Sequence, residues 1–274
     1  MKRVVWLALV GFALIADAYG HDTFLKLDDH FLDPDTTASV VLTNGTFESS
    51  LSNVALDRFR DARLTGPNGL HARPDKSQWT LTETTNELTF NTESSGTYGV
   101  GVSIKPRVLE MTAEAFERYL QNDGVLDVLE ARRAADSSKQ DVAERYSKHV
   151  KALIQVGGVL TDNVSEAYGY PIEIVPLENP FGLSVGDDLP VRVLFKGEPV
   201  ANQSVYASHS GFAQRSDSDQ HQEAVATRTD ENGIATITLS QSGRSYIRLI
   251  HMVPVNEPDV DYESHWATLT FEIR

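Results

Sequence analysis

The sequence predicts a mainly β fold, two β-sandwich domains with a helical insert between them. Three observations carry this. Short β-branched and aromatic runs broken by Gly, Pro, Asn and Asp occupy both ends of the 274-residue chain. In the middle the apolar period lengthens to about 3.6 residues. The length is near twice the roughly 150 residues of an average domain. A composition of 41% hydrophobic and 23% charged residues supports buried cores and excludes a disordered chain.

The chain opens with the features of an export signal. Lys2 and Arg3 precede an apolar run from Val4 to Ala16, long enough for a signal core and short for a bilayer span. Residues 1–20 are therefore expected to be removed, by cleavage after Ala18 or after Gly20. Cleavage after Gly20 makes His21 the first residue, and its free amine and imidazole together can chelate one metal ion. Export combined with zero cysteines suits the bacterial periplasm, with no transmembrane segment once the signal is gone.

Residues 21–107 form the first expected sandwich. Phe24, Leu25 and Leu27 start one strand, and Ala38 to Leu42 form a second ending at the turn pair Asn44-Gly45. Gly66-Pro67-Asn68-Gly69 is a turn; Thr80, Thr82, Leu88 and Phe90 mark two short strands; Gly96 to Val102 is a strand that tolerates glycine. Residues 108–158 are expected to be helical. Thr112 caps a helix bearing Phe116, Tyr119 and Leu120, which Gly124 closes, and a second carries Val125, Val128 and Leu129. A third, capped by Ser138, carries Val142, Ala143, Tyr146, Val150, Leu153 and Ile154 and ends at Gly157-Gly158. Residues 159–274 return to period two through Ile172, Ile174, Val191, Val193 and Phe195, with turns at 196–199 and 230–233. About seven strands in this stretch match an immunoglobulin- or transthyretin-like sandwich.

The chemistry is narrowed by exclusion. With 39 acidic against 24 basic residues and a net charge of -15, the chain lacks the clustered cations that nucleic acid requires. The absence of cysteine excludes thiolate catalysis, zinc ribbons and iron–sulfur clusters. No nucleophile elbow, phosphate loop, dinucleotide fingerprint or HExxH helix is present, so no enzymatic activity is expected. Histidines and carboxylates remain. Asp259, Asp261, Glu263 and His265 fall at period two and would share one side of a strand as an acidic ledge, read most simply as a solvated edge. His251 stands among Leu249, Ile250 and Val253 in an expected core strand, where its ring must be bonded or ligating. His209 and His221 flank a polar loop, His30 follows Asp28-Asp29, and His71 and His149 are expected on a turn and a helix surface.

Several segments occur in a recognisable order: His21-Asp22 with Phe24-Leu25, FERYL at 116–120, Tyr146 through Leu153, IEIVPLENP at 172–180, LPVRVLFKGEPV at 189–200, TDENG at 229–233, IRLIHMVP at 247–254 and ESHWATLTFE at 263–272. In these the chain resembles the DUF4198 family, also called the nickel or cobalt uptake periplasmic component group. The resemblance implies a periplasmic β protein in which an N-terminal histidine and a strand His-Met pair recur, here His21 and His251, with the last motif supplying Glu263 and Trp266. Tyr262 and His265 depart from the commoner residues at their positions. The expectation is a non-enzymatic accessory protein that binds nickel, cobalt or copper through His21, His251, Glu263 and His265 and delivers it to a membrane transporter, since borderline metals prefer nitrogen donors. Two rivals stand beside it: an adhesion or scaffolding module of the envelope with purely structural histidines, and an N-terminal-histidine copper oxidase.

Overall fold

A computed structural model describes residues 21–135, 137–212 and 222–274. The expected signal segment, both cleavage points and His221 lie outside these residues. The N-terminal strands are β1 (Asp22–Lys26), β2 (Phe31–Leu32), β3 (Thr36–Gly45), β4 (Phe59–Gly66), β5 (Leu70–Ala72), β6 (Trp79–Leu81), β7 (Thr85–Thr92) and β8 (Gly96–Met111). Helices α1 (Ala113–Asn122) and α2 (Leu126–Ala134) follow, then β9 (Val142–Val156). The remainder is β10 (Ile172–Pro176), β11 (Asp188–Phe195), β12 (Glu198–Pro199), β13 (Ser204–His209), β14 (Val225–Arg228), β15 (Ile234–Thr238), β16 (Gly243–Glu257) and β17 (Val260–Ile273). The fold is mainly β, as the alternating runs predict. Among the described residues no helix is long and apolar enough to cross a membrane.

The two sandwiches share a sheet. Nine strands form one surface in the order β14-β13-β16-β17-β9-β8-β4-β5, with β2 also paired to β9. The sheet β1-β3-β7-β6 covers one face: Leu25, Val40, Leu42 and Leu88 pack against Val100, Val102, Val150 and Ile154. The sheet of β10, β11, β12 and β15 covers the other face, with Ile174, Val191, Val193 and Ile237 against Ile247, Leu249, Leu269 and Phe271. Successive side chains of a strand point to opposite faces. Accordingly Val150, Ala152 and Ile154 of β9 enter the first core and Leu153 the second.

One expected helix is a strand. The segment from Ser138 to Ile154 contains β9, antiparallel to β8 on one side and parallel to β17 on the other. Both faces of this interior strand are covered, so its apolar residues lose the two-residue alternation and become a continuous run that periodicity cannot separate from a buried helix. Only α1 and α2 remain of the helical insert. Thr112 caps α1 as predicted, its hydroxyl accepting from the Ala115 N–H at 3.3 Å, and Gly124 follows with φ 75. Phe116, Tyr119, Leu120 and Leu129 pack on Ile250, Met252 and Trp266, covering the face of β16 and β17 turned away from the second core. The turns at 196–199 and 230–233 occur as predicted, with Lys196, Gly197 and Gly233 at positive φ. The Asn44-Gly45 pair instead belongs to the end of β3, opposite Thr23 and Asp22, and the chain turns after it.

The glycines of β8 make room for aromatic rings. A Cβ at Gly101 would lie 2.6 Å from the Tyr168 ring, and one at Gly99 would fall against the Tyr168 hydroxyl. That hydroxyl is hydrogen-bonded to Thr65 at 2.7 Å, and Lys151 lies 4.0 Å from the ring centre. Gly99→Ala should therefore destabilise the protein by about 1–3 kcal/mol through overpacking. Combining it with Tyr168→Phe, which removes the clashing oxygen, should recover part of the loss in a denaturation double-mutant cycle; strict additivity would contradict this packing account.

Candidate functional site

The shared sheet presents a different polar assembly on each face. On the face of the first sandwich, β1 lies across β17: Thr268 donates to the Thr23 carbonyl at 2.7 Å and Thr270 to that of Leu25. His21 precedes this strand, half-buried. The Lys148 ammonium, on β9, donates to the His21 carbonyl and, at 3.0 Å, to the Asn44 side chain. Between the start of this strand, the loop at 52–55 and strands β8 and β9 opens a cleft of about 710 Å³ whose walls include His21, Arg58, Arg107, Tyr146, Lys148 and Trp266.

Helix α1 braces the cleft from behind. Tyr119 stacks on Trp266 with centroids 5.9 Å apart and rings 3° from parallel. Its hydroxyl donates to Glu144 at 3.0 Å; Ser264 donates to the same carboxylate, and the Trp266 indole donates to Ser264 at 3.2 Å. Burial raises the pKa of Glu144 and lowers that of Lys148 to about 8. Beside them Arg248, 2% exposed, lies 3.2 Å from Asp22, 3.2 Å from Glu223 and 3.9 Å from Asp123. Burial pushes Asp123 up to about 8 against the pull of Arg248.

The opposite face carries the histidines. His251 and His265 are direct partners across the β16–β17 pair, in the same alternation as Leu249 and Leu269 of the second core. Phe195 touches both, at centroid distances of 4.6 and 5.1 Å. His251 Nδ1 is 2.8 Å from the Gln203 amide oxygen, and His265 Nδ1 is 2.7 Å from the Ser147 hydroxyl. The chain continues inward: Ser147 lies 3.0 Å from His149 Nε2, and His149 Nδ1 lies 3.0 Å from Ser103. His265 Nε2 is buried without a hydrogen-bond partner, with the nearer Glu263 oxygen at 3.7 Å. Glu263 also accepts from Arg145 at 3.1 Å, whose two terminal nitrogens bind Glu257 at 2.7 and 2.8 Å.

Three of the four expected ligands, His251, Glu263 and His265, thus share one face, while His21 lies across the sheet from them. Among the described residues no group of three or more His, Cys, Asp or Glu is arranged to hold a metal ion. The expected acidic ledge is not an edge: β17 is interior, and Asp261 accepts the Ala143 N–H at 2.8 Å. His149, expected on a helix surface, is 3% exposed on β9 because that segment is the central strand. Lys148, Ser147 and Arg248 were not distinguished by spacing; the charges in the apolar stretches YSKHVKALI and IRLIH are the signal that marks them.

The DUF4198 profile, a domain of unknown function, matches residues 18–253, and the chain belongs to that family. Among curated proteins none matches it in sequence. Similar solved structures include the D0-D1 domain of Intimin (15% identity, covering 92% of this chain and 97% of that one, TM-score 0.20). Others are latent PorU of Porphyromonas gingivalis (11%, 92% and 20%, 0.21) and the adhesin InvE of Yersinia pseudotuberculosis (15%, 91% and 58%, 0.20). Identities and TM-scores of this size carry no functional argument.

Burial is the main cause that pushes His30 down to about 4, His149 to about 3 and His265 to about 4, so all three are neutral in the fold. On unfolding each returns to 6.5 and binds a proton the folded chain refuses. Their contribution to stability is complete above that value and is lost as pH falls through about 4 for His30 and His265 and about 3 for His149. Thermal melts should accordingly decline below about pH 6.5, with a shallower slope in His149→Gln; an unchanged slope would contradict a neutral His149.

Proposed function

We propose that this chain is an exported, non-enzymatic metal-capture protein of the periplasm that binds nickel, cobalt or copper through His251 and His265 and passes it to a membrane transporter. The observation that supports this most is the unpartnered Nε2 of His265, in a ring 6% exposed and directly across from His251. A buried polar nitrogen without a partner is costly, and a neutral imidazole nitrogen is a donor that borderline divalent metals favour. Gln203 and Ser147 hold the Nδ1 atoms, which orients both rings.

Glu263 is the third donor in this reading once its carboxylate turns toward the two rings, since the three groups are not arranged around a metal ion as they stand. Its release from Arg145 is inexpensive because Arg145 keeps its two-point contact with Glu257. Water or a delivery partner completes the coordination. His21, on the far face, is outside this set; a terminal amine and imidazole there would form a separate two-donor site.

Isothermal titration with Ni(II), Co(II) and Cu(II) should find one site whose affinity drops about 10–100-fold in His251→Ala and in His265→Ala and is unchanged in His21→Ala. Binding abolished by His21→Ala and indifferent to the strand pair would reject the assignment. The affinity should also hold as pH is lowered toward 5.5, because burial lowers both pKa values, that of His265 to about 4. Loss of binding centred near pH 6.5 would mean ordinary solvated imidazoles.

A further inference from the structure

We propose that the cleft between the start of β1 and strands β8 and β9 is a second binding site, for a small organic anion with an apolar or aromatic body. It is independent of the metal reading, since the sheet separates the two. The volume of about 710 Å³ is that of a small-molecule pocket and far exceeds the needs of a single ion.

The charge of the lining decides the ligand class. In a chain with 39 acidic and 24 basic residues, three cations, Arg58, Arg107 and Lys148, face one cleft. None of the three has a carboxylate within ion-pair distance among the described residues, although Arg63, Arg145, Arg228 and Arg248 all do. Arg58 donates to the Lys105 carbonyl at 2.8 Å and lies 5.5 Å from the Tyr146 ring centre, which fixes its guanidinium while leaving donors unspent. The two carboxylates of the lining leave one cation in excess and are turned to other partners or to solvent. Glu144 is occupied by the Tyr119 and Ser264 hydroxyls, and Glu110 is exposed.

The remaining wall is apolar. Tyr146 and the exposed Val108 offer apolar surface, and Trp266, 3% exposed, lies beneath the Lys148 ammonium, 5.3 Å from its ring centre. The Trp266 plane is set by its stacking on Tyr119 and by the indole bond to Ser264. An anionic head at Arg58 and Lys148 with its body against Tyr146 and Val108 would satisfy both kinds of surface. A bare cation would meet a lining with more cations than carboxylates, and a neutral apolar molecule would leave the guanidiniums without a counter-charge.

The test is calorimetry on the purified protein with benzoate, phenyl phosphate, benzyl alcohol and inorganic phosphate, with Trp266 fluorescence as a second readout. Benzoate or phenyl phosphate should bind one per chain, and the better of them says which head the cleft prefers. Benzyl alcohol and inorganic phosphate should each be weaker by about tenfold or more. Arg58→Gln should weaken the anion by about tenfold or more, while Arg60→Gln, an exposed arginine outside the lining, and His251→Ala should leave it unchanged. No saturable binding of either aromatic anion, equal affinity for benzyl alcohol, or indifference to Arg58→Gln would each overturn the proposal.

Discussion

The parallel pairing of β9 with β17 joins the two halves of this molecule, and most of its features follow from that pairing. Residues Glu144 to Ala152 run beside Tyr262 to Thr270 in register, so a strand from the middle of the chain and the last strand become neighbours. A parallel pair needs a long crossover, and here residues 157–259 supply it as nearly the whole second sandwich. The outcome is one central sheet with a covering sheet on each face in place of two beads on a linker. Both cores depend on it, because β9 contributes Val150 and Ile154 to one and Leu153 to the other.

The same pairing sets the chemistry. Adjacent positions on β9 and β17 alternate between faces, so Lys148 and Trp266 belong to the cleft while Ser147 and His265 belong to the histidine chain. Charged and polar groups this deep are costly unless bonded, and most are bonded: Lys148 to the His21 carbonyl and Asn44, Arg248 to its acids, Glu144 to two hydroxyls. His265 Nε2 breaks that rule, which is why the metal reading centres there. On the opposite face the three cations of the cleft have no carboxylate within ion-pair distance among the described residues, which sets the charge of that site.

Much of the fold was legible in the sequence. Turn chemistry located the hairpin at 196–199 and the turn at 230–233, which passes between sheets because β14 pairs with β13 and β15 with β11, and Thr112 and Gly124 bounded α1, because these positions are governed by local backbone preferences. The failure at β9 has a physical cause: an interior strand covered on both faces carries no alternation, and Val142, Tyr146, Val150 and Leu153 coincide with a helical stripe. From the same cause came the placing of His149 on a helix surface. The site was half legible. Period two along Glu263 and His265 put them on one side, and the register then brought His251 opposite, but no spacing rule places His21 relative to a sheet formed some 240 residues later. Tertiary strand order decides it.

Anomalous X-ray diffraction from crystals of the nickel-loaded protein tests the central claim most directly. The account places the metal peak on the second-sandwich face, between the rings of His251 and His265 with the Glu263 carboxylate alongside. A peak in the cleft at His21, on the face of Trp266 and Lys148, with both strand histidines unligated, would contradict it.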